Sequence, residues 1–149
     1  MSTRRFLVVW CPGWSIHAAR EEHTLTDSPL ALSHGHYVTA CCDAAREQGV
    51  RVGQKIREAQ STCPQLQLLP DRPERDQRVF ERVLSHLSDT VAQLSVLEPG
   101  TLVCRASGLA RYYGSEQAAA HALRLAIGSS PVPVAARVGI ADSLFTAQH

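Results

Sequence analysis

The segment F-L-V-V-W-C-P-G-W, residues 6–14, decides the fold of this 149-residue chain. Its unbroken apolar run from Phe6 to Trp10 predicts a buried strand, because a strand with one face in water would alternate polar and apolar residues. The Cys-Pro-Gly triplet that follows ends the strand. A short helix is then predicted from Trp14 to Glu22, which indicates a protein of mixed strands and helices.

Outward from this segment, helices and strands alternate along the chain. The clearest helical pattern begins near Pro73, where apolar residues recur three and four positions apart as far as Leu94. Its charged residues, Arg75 and Asp76 among them, are assigned to a solvated face. Gly35 and the Pro-Gly pair at 99–100 predict hairpin turns. The other predicted strands are 29–33, 37–42, 66–69, 94–97, 102–105 and 132–140, and the other predicted helices are 43–49, capped by Asp43, 54–62, 115–127 and one from Asp142.

This order predicts the α+β class. The first strand and the last hundred residues fit a ferredoxin-like, split βαβ plan, in which a hairpin and crossovers are covered by helices. The segment from Pro12 to about Leu69 then becomes a small insertion after the first strand.

Composition excludes several classes of protein. Hydrophobic residues make up 44% of the chain, which is enough to form a packed core. No apolar run approaches the roughly 18 residues of a membrane helix, and no export signal precedes the first strand. We therefore expect a cytoplasmic protein without a membrane partner. The formal net charge of +1 does not indicate an electrostatic grip on nucleic acid.

The five cysteines follow no redox or metal motif. Their odd number and the lack of C-x-x-C spacing argue against a disulfide framework. A zinc site from His34, His36, Cys41 and Cys42 is conceivable, but the histidines sit at a predicted hairpin turn. Small apolar side chains in a half-buried strand are the favoured interpretation of the cysteine pair, and we predict no cofactor and no metal.

Three stretches, taken together and in order, resemble the Y-family (DinB/UmuC-like) of translesion DNA polymerases. They are R-E-Q-G-V-R-V-G-Q-K-I-R-E-A-Q-S-T-C-P-Q-L at 46–66, P-L-A-L at 29–32 and V-G-I-A at 138–141. The resemblance implies a ferredoxin-like palm built from residues 1–11 and 70–149, with a fingers subdomain inserted at 12–69. It also implies that the family's thumb and little-finger domains lie outside this N-terminal fragment.

The resemblance breaks where the family carries its catalytic carboxylates. Polymerases of this kind hold two divalent ions with acidic side chains. The family's pattern places those acids at positions that hold Trp10, Pro12, Pro99 and Gly100 here, and a register shift of one residue recovers only Glu98. The resemblance therefore implies a pseudo-polymerase: no catalytic residue, no metal ligand and no enzymatic activity.

The family's nucleotide grip is also altered. Its Tyr-x-x-Arg motif becomes D-A-A-R here, in which Arg46 is retained as a nucleotide-binding remnant. Ser15 takes the place of the aromatic residue that excludes the ribose 2′-hydroxyl. Leu144 takes the place of a palm lysine.

Three other features have two interpretations each. Arg46 with Arg51 and Lys55 is either a remnant phosphate-binding face or a solvated one. Trp14 is either packed in the core or an exposed anchor for a partner, with Arg51 and Lys55 nearby. The segment Q-L-Q-L-L, residues 65–69, looks like a clamp-binding peptide, but a buried strand is the favoured interpretation.

The W-C-P-G-W segment and A-R-Y-Y-G at 110–114 are similar to the ImuB-type branch of the family. Such proteins are understood as inactive adaptors in SOS-induced, error-prone translesion synthesis. The resemblance implies a sliding clamp, a RecA-like accessory protein, an error-prone polymerase and DNA as partners, with weak DNA contact by this fragment. The alternatives are an active nucleotidyltransferase and an unrelated protein-binding α+β domain.

Overall fold

The structure is a computed structural model that describes residues 5–23, 28–88, 91 and 94–141. Strands and helices alternate through these residues. The strands are β1 Phe6–Trp10, β2 Leu30–His34, β3 Tyr37–Cys41, β4 Gln67–Pro70, β5 Ser95–Glu98, β6 Thr101–Arg105 and β7 Arg137–Ala141; the helices are α1 Trp14–His23, α2 Asp43–Glu47, α3 Ile56–Thr62, α4 Pro73–Leu87, α5 Ala106–Tyr113 and α6 Glu116–Gly128.

The chain divides into two compact units, and the first comprises Met1–Pro12 with Gln77–His149. Its sheet has the strand order β5-β6-β1-β7, and each neighbouring pair is antiparallel. This order is that of the ferredoxin-like plan, so the predicted α+β fold class is confirmed. β1 has a strand on either side, and its Leu7, Val8 and Val9 are completely buried, which explains the unbroken apolar run.

The second unit, Gly13–Asp76, contains a smaller sheet. β2 lies in its centre, antiparallel to β3 and parallel to β4. One face of the unit is packed with small side chains, including Ala31, Val38, Ala45 and Ala59, all of them buried. The assignment of residues 12–69 to a fingers subdomain, and of residues 1–11 and 70–149 to a palm, remains a prediction.

Several predicted elements differ from the structure. α4 ends at Leu87, not near residue 94, although Val91 beyond it is still buried. The three-and-four spacing of apolar residues therefore marks a buried position even after the helix has ended. β7 begins at Arg137 and not at residue 132, because prolines at 131 and 133 cannot donate to a strand ladder.

Two local features were missed or misassigned. α5 was not predicted, since Gly108 in its middle weakens the helical pattern of a segment only eight residues long. The cap of α2 is Cys42, not Asp43: the Cys42 sulfur accepts from the Ala45 amide at 3.5 Å. Asp43 is instead the first helical residue. The helix predicted from residue 142 lies outside the described residues.

A buried ion pair at the start of α4 corrects the assignment of Arg75 and Asp76 to solvent, whereas Arg78, Glu81 and Arg82 are exposed as predicted. Arg75 is 1% exposed and donates to the Pro70 carbonyl at 3.1 Å and to Asp76 Oδ1 at 3.4 Å. The Trp14 indole donates to the Asp76 carbonyl at 2.8 Å. These bonds join the end of β4, the start of α1 and the first turn of α4 within one unit. Burial raises the pKa of Asp76, and the neighbouring Arg75 opposes this rise.

No helix in the described part of the chain is long and apolar enough to cross a membrane.

We expect Arg75→Ala to lower the free energy of unfolding by about 3–5 kcal/mol, because it leaves the buried Asp76 carboxylate without its counter-charge. The pKa of Asp76 is already raised in the folded state, so its contribution to stability falls as pH rises through the range above its unfolded pKa of about 3.9. Losing Arg75 raises that pKa further. Urea unfolding should therefore show a larger loss at pH 7 than at pH 4.

The exposed Arg72→Ala variant is the matched control and should change stability little. Equal losses for Arg75→Ala at both pH values would contradict the role given to Asp76.

Candidate functional site

The candidate site lies where β1 ends beside the β5–β6 turn. Trp10 is paired with Thr101 in the sheet, and the Cys11 amide continues the ladder by donating to the Gly100 carbonyl at 2.8 Å. Pro12 and Pro99 are the residues next to the bonded pair, Pro12 after Cys11 and Pro99 before Gly100. The backbone thus brings together all four positions that the resemblance assigned to catalytic carboxylates.

The turn itself depends on its glycine. Pro99 and Gly100 connect Glu98 of β5 to Thr101 of β6, and Gly100 has a φ of 92°. Residues other than glycine rarely adopt this backbone conformation. The carbonyl of Gly100 is the acceptor for Cys11, so the conformation of the turn also fixes the end of β1.

The side chains at these positions contain no carboxylate. Trp10 is half-buried against Phe6, Val8 and Val103, and Pro12 is exposed. Indole, pyrrolidine and glycine supply none of the oxygen ligands that Mg²⁺ requires. Glu98 is the nearest acidic residue along the turn, and its side chain is exposed. These residues do not fit a pair of divalent ions, and no group of three His, Cys, Asp or Glu side chains able to hold a metal occurs in the described residues.

Cys11 also lacks the properties of a ligand or nucleophile. It is 5% exposed, and burial raises the pKa of its thiol to about 11. The thiolate is the form that binds metals and attacks electrophiles, so Cys11 remains a protonated, apolar side chain at neutral pH. The end of β1 is therefore lined with apolar and uncharged groups.

Arg46 and Arg51 lie together at the end of α2. The Arg46 guanidinium contacts Asp43 Oδ1 at 3.3 Å and the Cys41 carbonyl at 3.4 Å. The Arg51 guanidinium donates to the Arg46 carbonyl at 2.7 Å and to the Val50 carbonyl at 2.9 Å. Both arginines remain exposed, but backbone carbonyls already occupy part of their hydrogen-bonding capacity.

Lys55 lies in a separate groove. The cavity has a volume of about 400 Å³ and is lined by His36, Tyr37, Lys55, Ile56 and Arg57. Its titratable side chains other than Tyr37 are basic. Sequence analysis did not place His36 beside Arg57, because β3 and α2 separate them along the chain. The bridge between Tyr37 and Lys55 and the hydrogen bond from the Ile56 amide to the His36 carbonyl, at 2.9 Å, bring them together.

The structure decides two interpretations of the sequence, one by burial and one by strand pairing. Trp14 is 5% exposed, so it is not an exposed anchor for a partner; its indole N–H donates to the Asp76 carbonyl at 2.8 Å. The clamp-like segment 65–69 contributes Gln67, Leu68 and Leu69 to β4, which pairs with β2. Its backbone is therefore engaged in a sheet, so the predicted strand is confirmed. Its predicted burial is wrong, because Gln67 is exposed and Leu68 and Leu69 are only half-buried. Leu144 lies outside the described residues.

Comparisons with known proteins agree with this architecture. The profile of the "IMS: impB/mucB/samB family" matches residues 11–149, so the chain belongs to this family. No curated protein sequence matches the chain.

Three similar solved structures are those of Dbh and DinB proteins. A post-insertion binary complex of Dbh DNA polymerase has a TM-score of 0.78 at 16% identity, with 97% of this chain and 44% of that chain covered. A Dbh ternary complex has a TM-score of 0.77 at 16% identity, with 97% and 43% covered. DinB from Sulfolobus solfataricus has a TM-score of 0.73 at 16% identity, with 97% and 44% covered. At this identity the likeness establishes the fold, and this chain spans less than half the length of these proteins.

We predict that Cys11 resists thiol reagents in the folded protein. At pH 8 a thiol with a pKa of about 11 is ionised in only about one molecule in a thousand. Maleimide labelling followed by peptide mass spectrometry should modify the half-buried Cys42 first. Labelling of Cys11 as fast as Cys42 would show that the end of β1 is more open, or more polar, than described.

Proposed function

We propose that this chain is the palm and fingers part of a Y-family protein that has lost its two-metal centre and acts as an adaptor in error-prone translesion DNA synthesis. The observation that carries the proposal is the end of β1. There the backbone still brings four positions together, at residues 10, 12, 99 and 100, while none of their side chains offers an oxygen ligand.

Loss of these ligands removes the main source of rate enhancement in phosphoryl transfer. The metal ions activate the primer hydroxyl and neutralise the leaving pyrophosphate. A single carboxylate such as Glu98 cannot bridge two Mg²⁺ ions and also complete their oxygen coordination. The sheet does not need the carboxylates, because it is held by backbone hydrogen bonds and the apolar β1, so the fold can persist for a non-catalytic role.

The contacts of Arg46 support the same proposal. A triphosphate-binding arginine must present its guanidinium to the ligand, whereas Arg46 has Asp43 within 3.3 Å. The Asp43 side chain is 94% exposed and places a negative charge where an anionic nucleotide would approach. Arg46 therefore keeps one residue of the family's nucleotide-binding motif, but the adjacent Asp43 makes its surroundings less favourable for an anionic nucleotide.

Binding to DNA in this proposal rests mainly on parts of the protein beyond these residues. A formal net charge of +1 allows few phosphate contacts, and the number of such contacts sets both affinity and its dependence on salt. This chain alone should bind primer–template DNA weakly. The sliding clamp, the RecA-like protein and the error-prone polymerase stay proposed partners of the adaptor.

An active DNA polymerase is the second candidate. The structures it resembles include binary and ternary complexes of a DNA polymerase, and Glu98 remains exposed beside the turn. In this case other residues would have to complete the metal site.

A Mn²⁺ titration followed by electron paramagnetic resonance distinguishes the inactive adaptor from the active polymerase. The natural chain should bind Mn²⁺ no more tightly than the Pro12→Asn/Pro99→Asn control. The Pro12→Asp/Pro99→Asp variant, which places two carboxylates beside the same turn, should bind about tenfold more tightly, a difference of about 1.4 kcal/mol.

Binding of two Mn²⁺ ions by the natural chain would favour the active polymerase. No gain in the aspartate variant would contradict the convergence of positions 12 and 99.

A further inference from the structure

The tip of the β2–β3 hairpin and the start of α3 border one cavity in the second unit. The cavity has a volume of about 400 Å³ and is lined by His36, Tyr37, Lys55, Ile56 and Arg57. All five residues belong to the unit Gly13–Asp76, so both walls of the cavity lie within one compact unit. We name this cavity the Lys55 groove.

Backbone bonds hold the two walls of the Lys55 groove together. The Ile56 amide donates to the His36 carbonyl at 2.9 Å, and Tyr37 forms a β-bridge with Lys55. Val38, the next residue of β3, is joined to the turn before Lys55 by two further backbone bonds, of 2.9 and 2.8 Å. The spacing of the lining side chains is therefore set by the main chain, and a ligand meets a groove that is already formed.

Two cations of the groove have no counter-charge. Lys55 and Arg57 are exposed, and in the described residues neither side chain forms an ion pair or a hydrogen bond. Arg46 and Arg51 differ from them, because their guanidinium groups already contact Asp43 and backbone carbonyls. Lys55 and Arg57 can therefore pair with an anionic ligand without first breaking a bond within the protein.

Apolar surface lies beside these cations. Tyr37 is 52% exposed and Ile56 is half-buried, and both line the same cavity. A tyrosine supplies a large contact area at a low cost in conformational entropy. Tyrosine and arginine are also among the residue types that dominate the energy of protein interfaces. The groove thus presents positive charge and apolar area side by side.

We propose that the Lys55 groove binds an acidic protein segment that carries one aromatic side chain beside its acids. The carboxylates pair with Lys55 and Arg57, and the aromatic side chain packs on Tyr37 and Ile56. This inference goes beyond the adaptor function, which names no binding surface on this chain, and it does not depend on the loss of catalysis.

Size and charge select this occupant. A volume of about 400 Å³ is near the lower end of the range of about 300–1,000 Å³ for ligand pockets. It has room for a few side chains of an extended segment and not for the surface of a folded domain. The two unpaired cations complement acidic side chains, and the Arg57 guanidinium can hold one carboxylate by two parallel hydrogen bonds.

Charge argues against two other occupants. A single strand of nucleic acid can stack a base on an exposed tyrosine, but it also needs a row of cations along its phosphates. Here the row stops after Arg57, because the next residue of α3 is the exposed Glu58. A second copy that docks through the same groove about a two-fold axis would place cations opposite cations, which is repulsive.

Fluorescence anisotropy with short labelled peptides tests the proposal at low salt, where exposed charges are least screened. The probe peptide places Asp and Glu on both sides of one Phe. One control peptide replaces the acids by Asn and Gln, a second replaces the Phe by Ser, and a single-stranded oligonucleotide of equal charge is the third control. We expect the natural chain to bind the probe peptide about tenfold more tightly than any of these controls.

Matched variants locate the binding. Lys55→Gln/Arg57→Gln should weaken binding of the probe peptide by about tenfold or more, and Tyr37→Ser should weaken it by about threefold or more without changing charge. Arg72→Gln removes a positive charge from an exposed position outside the groove in the same unit, and it should leave binding within about twofold. Thermal unfolding verifies that every variant is folded.

Three results would overturn the proposal: failure of the probe peptide to bind, equal binding by the natural chain and the Lys55→Gln/Arg57→Gln variant, or tighter binding of the oligonucleotide than of the peptide. None of these results bears on Mn²⁺ binding at the end of β1, so the two proposals fail independently.

Discussion

The pairing of β1 on both of its edges is the constraint on which the first unit depends. Its backbone is bonded to β6 on one side and to β7 on the other, and its central side chains are completely buried. The last bond of this ladder, from Cys11 to the Gly100 carbonyl, fixes where the strand stops. The positions of Trp10, Cys11 and Gly100 in the candidate site follow from that pairing.

Because of this constraint, the sheet does not depend on the side chains that would perform catalysis. Backbone bonds and apolar burial hold the end of β1 beside the β5–β6 turn, and no carboxylate is required for either. The positions can therefore lose acidic side chains while the sheet is retained. The half-buried Trp10 and the turn formed by Pro99 and Gly100 are compatible with the sheet, and they give the site an uncharged character that a divalent ion does not favour.

Much of the fold could be predicted because the pattern of apolar residues and turn residues in the sequence marks its strands and helices. The apolar run of β1, the hairpin turn at Gly35 and the helical spacing after Pro73 each correspond to an element of the structure. The α+β fold class could be predicted for the same reason. Errors arose where one signal had two causes: Val91 continued the helical spacing but is buried outside α4, and α5 was hidden by its central glycine.

The site was only partly accessible from the sequence. Resemblance identified the positions at the end of β1, but the bond from Cys11 to Gly100, which brings the end of β1 beside the β5–β6 turn, required the sheet. The burial of charged side chains was the least predictable property, because Arg75 and Asp76 were assigned to solvent but form a buried pair. The contact of the Trp14 indole with the Asp76 carbonyl was equally hidden. The charged groove around Lys55 depends on contacts between distant segments, which a linear pattern does not contain.

The most direct test of the central claim is primer extension by the natural protein that contains this chain. Purified protein is incubated with a primer–template, all four nucleotides and Mn²⁺, beside a Glu98→Gln variant prepared in the same way. The account predicts no extension above a mock purification for either protein. Extension by the natural protein that is lost in Glu98→Gln would contradict it, because activity would then depend on the acidic side chain beside the turn.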